Sequence, residues 1–284
     1  MKIAISSGKG GTGKTTVASN LASYLADSMP VALIDLDVEE PNSGIFFKHE
    51  LVHTEVKYKN VPDWLQDKCV PCDICKDVCN FNAIIRLGDQ IIPFPQLCHS
   101  CYACVELCPE KALVMRQERI GVLNHYNENN LDFIESILDI GTEQPVPLIS
   151  QTIKYTDNAI NNDILKIYDT PPGTSCPVIE ATKNVDLVLL VTEPTPFGLH
   201  DLKLSIEAMK ELGRPIAVII NRYGIGNDET EKHCKDENIE IIAKIPNLRK
   251  IAELYSNGTI IYNKVDQFRI ELDKVVNYIR EHLK

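Results

Sequence analysis

Apolar positions along this chain fall mostly in short dense runs, with little of the strict alternation that marks a half-wet strand. Residues 2–6 (KIAIS), 31–35 (VALID), 164–168 (ILKIY), 185–192 (VDLVLLVT), 215–220 (PIAVII) and 239–245 (IEIIAKI) are such runs. A strand covered on both faces has no wet side, so these runs predict interior strands of a parallel sheet. Helical spacing predicts helices over 14–26, 199–212, 228–237, 247–257 and 266–283. Strands taking turns with helices give an α/β fold with a mainly parallel, doubly wound sheet. The turn-taking lapses over 57–122, and a polar loop, NHYNENN at 124–130, precedes its return. The expected organisation is one domain built from 1–56 and 123–284, interrupted by a small domain at 57–122.

The first run passes straight into GKGGTGKT, residues 8–15, which satisfies G-x-x-x-x-G-K-[ST] between a predicted strand and a predicted helix. Glycines at 8, 10, 11 and 13 let backbone N–H groups close around phosphate oxygens, and the helix N-terminus adds a favourable field. Gly8, Lys9, Gly10, Gly11, Thr12, Gly13, Lys14, Thr15 and Thr16 are therefore the candidate phosphate site. Lys14 neutralises the β- and γ-phosphates, and the Thr15 hydroxyl is a Mg²⁺ ligand. A glycine-rich turn matching by chance is the plainer reading; the strand–loop–helix context speaks against it. Asp37 lies just beyond the run that Asp35 ends, and Asp169 closes the run at 164–168. Strand carboxyl ends are where open α/β sheets bind ligands, although Asp37 also reads as a turn or capping aspartate.

Eight of the ten cysteines lie within 57–122. Cys69, Cys72, Cys75 and Cys79 recur as Cys98, Cys101, Cys104 and Cys108, each displaced by 29 residues, and NFNAIIRL after the first set answers PEKALVMR after the second. Two copies of one small unit are implied. Each set reads C-x₂-C-x₂-C-x₃-C, in which three close thiolates wrap three corners of a [4Fe–4S] cube and the fourth corner is supplied from a distant segment. Zinc sites ordinarily use two C-x₂-C pairs on either side of a longer loop. Disulfides are rare in a reducing compartment. Pro109 follows Cys108, whereas Asn80 stands after Cys79 where this pattern usually has proline. Cys176, near a predicted helix start, reads as a small buried side chain.

With its second lysine, Lys9, KGGTGKT resembles the deviant P-loop of the MinD/ParA and nitrogenase-iron-protein superfamily. VALIDLDVEEPN, ILKIYDTPPG and VTEPTPFGLHDL are similar to further segments of that family, so the resemblance covers most of the chain. It implies ATP or ADP with Mg²⁺ as ligands, and Lys9, Lys14 and Asp37 as the catalytic residues. Lys9 would reach nucleotide across an ATP-dependent homodimer, and Asp37 would lie near the attacking water. Asp169 would hold Mg²⁺ through water, and Gly173 would report loss of the γ-phosphate. Asn221 would hydrogen-bond adenine, with Pro246 in the loop flanking it. The cysteine segment resembles a bacterial 2[4Fe–4S] ferredoxin. That resemblance implies one cluster on Cys69, Cys72, Cys75 and Cys108, and a second on Cys98, Cys101, Cys104 and Cys79. Together they imply an ATPase coupling hydrolysis to electron transfer toward an unidentified redox or Fe–S acceptor protein. An Fe–S cluster carrier and a MinD/ParA-type spatial regulator are the alternatives.

A net charge of −11 argues against nucleic-acid binding. No run approaches the ~20 apolar residues of a membrane span, and the N-terminus lacks the features of a signal peptide. A cytoplasmic protein without stable membrane insertion is expected. The last helix carries an apolar stripe at Ile270, Val275, Val276, Ile279 and Leu283, which fits docking on the core better than lying on a membrane.

Overall fold

The structure, a computed structural model, describes residues 1–47 and 50–282. In chain order its strands are β1 (Lys2–Ser6), β2 (Val31–Asp35), β3 (Glu50–Trp64), β4 (Ile84–Leu87), β5 (Gln90–Pro93) and β6 (Leu113–Glu128). They continue as β7 (Leu131–Leu138), β8 (Leu165–Asp169), β9 (Leu187–Thr192), β10 (Ile216–Tyr223) and β11 (Ile241–Pro246). The helices are α1 (Lys14–Ala26), α2 (Ile74–Asp77), α3 (Ala103–Glu106), α4 (Val146–Ala159) and α5 (Cys176–Thr182). After them come α6 (Pro196–Glu211), α7 (Glu229–Asp236), α8 (Arg249–Ser256) and α9 (Asp266–His282). Two compact units emerge: residues 1–55, 123–137 and 149 onward form the larger, and 56–122 with 138–148 the smaller.

Among the described residues, one sheet runs β11-β10-β9-β1-β8-β2-β7-β6-β3. The pairs β1–β8, β1–β9, β9–β10, β10–β11, β2–β7 and β2–β8 are parallel. The register sets Asp35 opposite Asp169 where β2 and β8 end, so two carboxylates meet at the carboxyl end of the sheet. Ile3, Ile5, Leu33, Ile167 and Leu189 pack with Val17 and Leu21 of α1 in the larger unit's core. Burying each such side chain stabilises the fold by roughly 1.5–3 kcal/mol. Helix α9 joins this core through Phe268, Leu272, Val275, Val276 and Ile279. Ile270, expected on that buried stripe, is instead 56 % exposed, because Phe268 and Leu272 are the neighbours of Val275 and Val276 at helical spacing. Leu283 lies outside the described residues.

The polar segment expected as a loop is mostly strand. Residues 124–128 complete β6, and Asn129–Asn130 turn it back into β7, with Asn129 at φ 54°. Composition misleads there because the polar groups are paired inside the unit. His125 is buried and lies 2.9 Å from Asp132 and 3.0 Å from the Tyr155 hydroxyl. Helix α4 has no counterpart among the predicted elements; Pro147 lies in its first turn, where proline is tolerated. Cys176 is exposed rather than buried, as it opens α5 and the buried positions of that helix are Val178, Ala181 and Thr182.

In the smaller unit the 29-residue repeat is structural. The 3₁₀ turn Gln66–Lys68 answers Pro95–Leu97, and α2 answers α3. Asp73 and Tyr102, both at φ 64°, precede those two helices. Buried Lys59 fastens the second repeat, its ammonium donating to Pro95 O at 2.7 Å and to Gln144 Oε1 at 2.9 Å.

Candidate functional site

Helix α1 starts at Lys14 because the loop before it meets two backbone demands. Gly13 caps the helix at φ 99°, and a Cβ added there would lie 2.2 Å from Asn221 Nδ2. A Cβ on Gly8 would meet the Asp201 carbonyl oxygen at 2.3 Å. The closeness of Asn221 has a purpose: its amide donates to Thr12 O at 2.7 Å and pins the loop from β10. Beside the loop opens a cleft of about 1130 Å³. Gly10, Gly11, Gly13, Lys14, Thr15 and Thr16 line it, as do Asp37, Asn221 and Pro246. Leu248, Ile251, Ala252 and Tyr255 add an apolar wall next to Pro246.

The remaining candidates of the larger unit sit around that cleft without lining it. Thr12 is buried and its hydroxyl has no protein partner. Gly173 stands at φ 97°, and its N–H donates to Ser7 O at 2.9 Å. The Lys9 ammonium is 2.5 Å from Glu193 Oε1. Glu193 also receives Arg222 at 2.9 Å, whose other terminal nitrogen donates to Gly11 O at 3.1 Å. Neither Glu193 nor Arg222 stood out in the sequence, since a strand-end glutamate and an exposed arginine carry no spacing signal.

Three aspartates crowd the floor beneath Lys14. Asp35 is fully buried and accepts the N–H groups of Asp37, Asn42 and Ser43 at 2.9–3.0 Å. Asp169 accepts from the Ser43 hydroxyl at 3.2 Å through Oδ2 and is stabilised by the neighbouring Thr15 hydroxyl, while its buried Oδ1 has no hydrogen-bond partner within normal distance among the described residues. Burial, and then Asp169, push the Asp35 carboxyl up; burial likewise raises Asp169, against the pull of Lys14. Asp37 is pushed up to about 6, by burial first, with Lys14 opposing. The orphaned Asp169 oxygen beside Thr15 fits a Mg²⁺ ion that keeps most of its water and takes phosphate oxygens. Asp35 and Ser43 are the positions missed by sequence; the register of β2 against β8 is what recruits them.

Two hollows occur in the smaller unit. The first is lined by Cys69, Cys72, Cys75 and Cys108, with Trp64, Asp73, Glu110 and Leu113 among its other walls. The second is lined by Cys79, Cys98, Cys101 and Cys104, with Phe81, His99 and Met115. Each hollow thus takes three cysteines from one repeat and the fourth from the other. Ala112 N–H donates to Cys108 Sγ at 3.2 Å and Ala83 N–H to Cys79 Sγ at 3.3 Å, equivalent bonds in the two repeats. Burial, then neighbouring cysteines, push Cys104 up to about 11 and Cys75 upward as thiols. All ten cysteines are free. Among the described residues, no three His, Cys, Asp or Glu side chains converge as ligands of a single ion. Four sulfurs facing a common hollow suit a group larger than one ion.

The chain matches the family described as the CobQ/CobB/MinD/ParA nucleotide binding domain over residues 3–261. An uncharacterized protein of Methanocaldococcus jannaschii, MJ0579, is 32 % identical over 286 residues, which cover 98 % of this chain and 97 % of that one. An iron-sulfur cluster carrier protein of Rickettsia typhi is 25 % identical over 255 residues, 88 % of this chain and 62 % of that one. The fold is similar to that of the cell division ATPase MinD of Pyrococcus furiosus, with a TM-score of 0.60 at 20 % identity over 99 % and 98 % of the two chains. With its glycine loop, its cleft and its carboxyl-end aspartates, the chain belongs to the CobQ/CobB/MinD/ParA nucleotide-binding family.

Proposed function

We propose that the protein is a dimerising ATPase whose smaller unit, a ferredoxin-type domain, holds two [4Fe–4S] clusters, and that hydrolysis governs electron delivery from that domain. The observation that carries this reading is the division of eight cysteines between two hollows, four to each, in a chain that also has a phosphate-binding cleft. Cys69, Cys72, Cys75 and Cys108 would hold one cluster, and Cys98, Cys101, Cys104 and Cys79 the other. When bound, the clusters supply one-electron transfer. In the cleft, the loop N–H groups and Lys14 hold phosphate oxygens, Thr15 and Asp169 hold the Mg²⁺ shell, and Asp37 orients the attacking water. The apolar wall from Pro246 to Tyr255, with Asn221, suits the nucleotide base. Lys9 reaches the nucleotide of a second copy only after leaving Glu193. Gly173 N–H must likewise leave Ser7 O to meet a γ-phosphate.

The test is anaerobic purification with iron and sulfide analysis, followed by the rate of acceptor reduction with ATP, with ADP and with no nucleotide. Iron near eight per chain and an ATP-dependent rate are expected; equal rates remove the coupling. A second reading, a carrier that passes clusters on, is favoured by the likeness to the Rickettsia typhi carrier protein. Stoichiometric transfer to an apo-acceptor, with loss of iron from this chain, would select it.

A further inference from the structure

The two hollows are built on one repeat, yet their walls differ: His99, Tyr102 and Phe81 stand in the second where Val70, Asp73 and Glu110 stand in the first, and an indole lines the first alone. Trp64, the chain's sole tryptophan, lines the first hollow beside Cys69, Cys72, Cys75 and Cys108. Its ring packs with Ile84, Ile91 and Leu113, and its indole Nε1 is buried with no hydrogen-bond partner among the described residues. A buried donor left unpaired is costly, and such donors are rare. The position 29 residues on is Pro93, which has no side-chain donor and does not line the second hollow. Backbone donors are shared in part: Ala112 N–H and Ala83 N–H reach Cys108 and Cys79 alike, whereas Ser100 N–H reaches Cys98 Sγ at 3.4 Å in the second hollow and its counterpart in the first repeat, Pro71, has no N–H to give.

Resting on the ferredoxin reading above, we infer that Trp64 Nε1–H donates a hydrogen bond to the sulfur of the cluster held by Cys69, Cys72, Cys75 and Cys108, and that it makes this cluster easier to reduce. The chemistry is that of a charge-assisted bond. Reduction adds one electron to an anionic group, its sulfur becomes a better acceptor, and the N–H stabilises the reduced form more than the oxidised form. Hydrogen bonds to cluster sulfur are among the determinants of reduction potential. Asp73 and Glu110, in the same hollow, act in the opposite sense; the Asp73 carboxylate is offset by Arg86 at 3.1 Å. Trp64 is a positioning residue that adjusts one cluster of the pair.

Having only one tryptophan makes the test specific. Native protein is grown with indole-¹⁵N tryptophan, purified anaerobically, assayed for iron and sulfide, reduced, and examined by electron–nuclear double resonance. A ¹⁵N coupling to the reduced cluster is expected; its absence from protein with full iron overturns the inference. In W64F, redox titration followed by EPR should show one cluster shifted to lower potential and the other unmoved. At the potential that half-reduces the native cluster, its reduced-to-oxidised ratio should fall on the order of tenfold, the weight of one bond to a charged group. Two unshifted clusters would overturn it as well. If W64F fails to load, the isotope measurement on the native chain decides alone. Protein without iron would refute the ferredoxin reading itself.

Discussion

Glu193 holds two cations, Lys9 at 2.5 Å and Arg222 at 2.9 Å, with its own side chain only 9 % exposed. Burial pushes this carboxyl up, but Lys9 above all, then Arg222 and Thr195, bring it below the ordinary glutamate range. A carboxyl lowered in the folded state contributes stability that is present above its unfolded value, about 4.3, and lost as pH falls through the folded value. Denaturant midpoints measured from about pH 6 down to pH 3 should therefore drop less steeply in Glu193→Gln than in the native protein; parallel curves would show the pairs to be inert. The same substitution frees Lys9 and should favour ATP-dependent association in sedimentation. A second residue-scale prediction concerns Gly13. In Gly13→Ala a side chain is forced to φ 99° against Asn221, and backbone strain of this kind costs about 1–3 kcal/mol. Nucleotide binding, read by calorimetry, should weaken along with the melting temperature.

At the scale of elements, the repeat predicts crossed dependence. Cys79 belongs to the first repeat but faces the hollow of Cys98, Cys101 and Cys104, and Cys108 faces the hollow of Cys69, Cys72 and Cys75. Cys79→Ser should therefore disturb the cluster of the second repeat, with iron falling from about eight toward about four per chain, and Cys108→Ser the cluster of the first. EPR of the two reduced variants should differ, each keeping the signal the other loses. The crossed grouping was expected from the resemblance to a bacterial 2[4Fe–4S] ferredoxin, whose cysteine spacing the two repeats carry. The parallel strands β1, β2, β8, β9, β10 and β11 were legible too, since burial on both faces leaves dense apolar runs. Strand β6 was not, because its polar groups satisfy each other, His125 with Asp132 and Tyr155. Asp35 and Ser43 escaped notice for a different reason. Their role comes from strand register, which places Asp35 against Asp169, and register is not written in either segment alone. Nor does any pattern in 138–148 announce that this stretch belongs with the smaller unit. Its ties are made in space: Lys59 reaches Gln144, Arg119 donates to Asp139 at 2.8 Å, and Asp139 N–H donates to Ile120 O at 2.9 Å.

At the scale of the whole molecule, the proposed nucleotide and cluster sites share no residue. The cleft is lined only by residues of the larger unit, and both hollows only by residues of the smaller. Each should then be removable without the other. Lys14 is 7 % exposed, lines the cleft and interacts with Asp169. Lys14→Ala should abolish ATP hydrolysis and also the thermal stabilisation by Mg-ATP. At ligand one hundredfold above Kd that stabilisation amounts to about 2.7 kcal/mol in the native protein. Anaerobically prepared Lys14→Ala should nevertheless keep its visible absorbance and its iron, because no ligand to either cluster has changed. The converse holds for Cys72→Ser, where iron should fall while the shift with Mg-ATP persists. If hydrolysis governs electron delivery, Lys14→Ala must lose more than ATPase activity: its acceptor reduction should fall to the nucleotide-free rate of native protein and become indifferent to ATP. A variant that hydrolyses nothing yet reduces the acceptor at the full ATP-stimulated rate would leave two activities on one chain with no traffic between them.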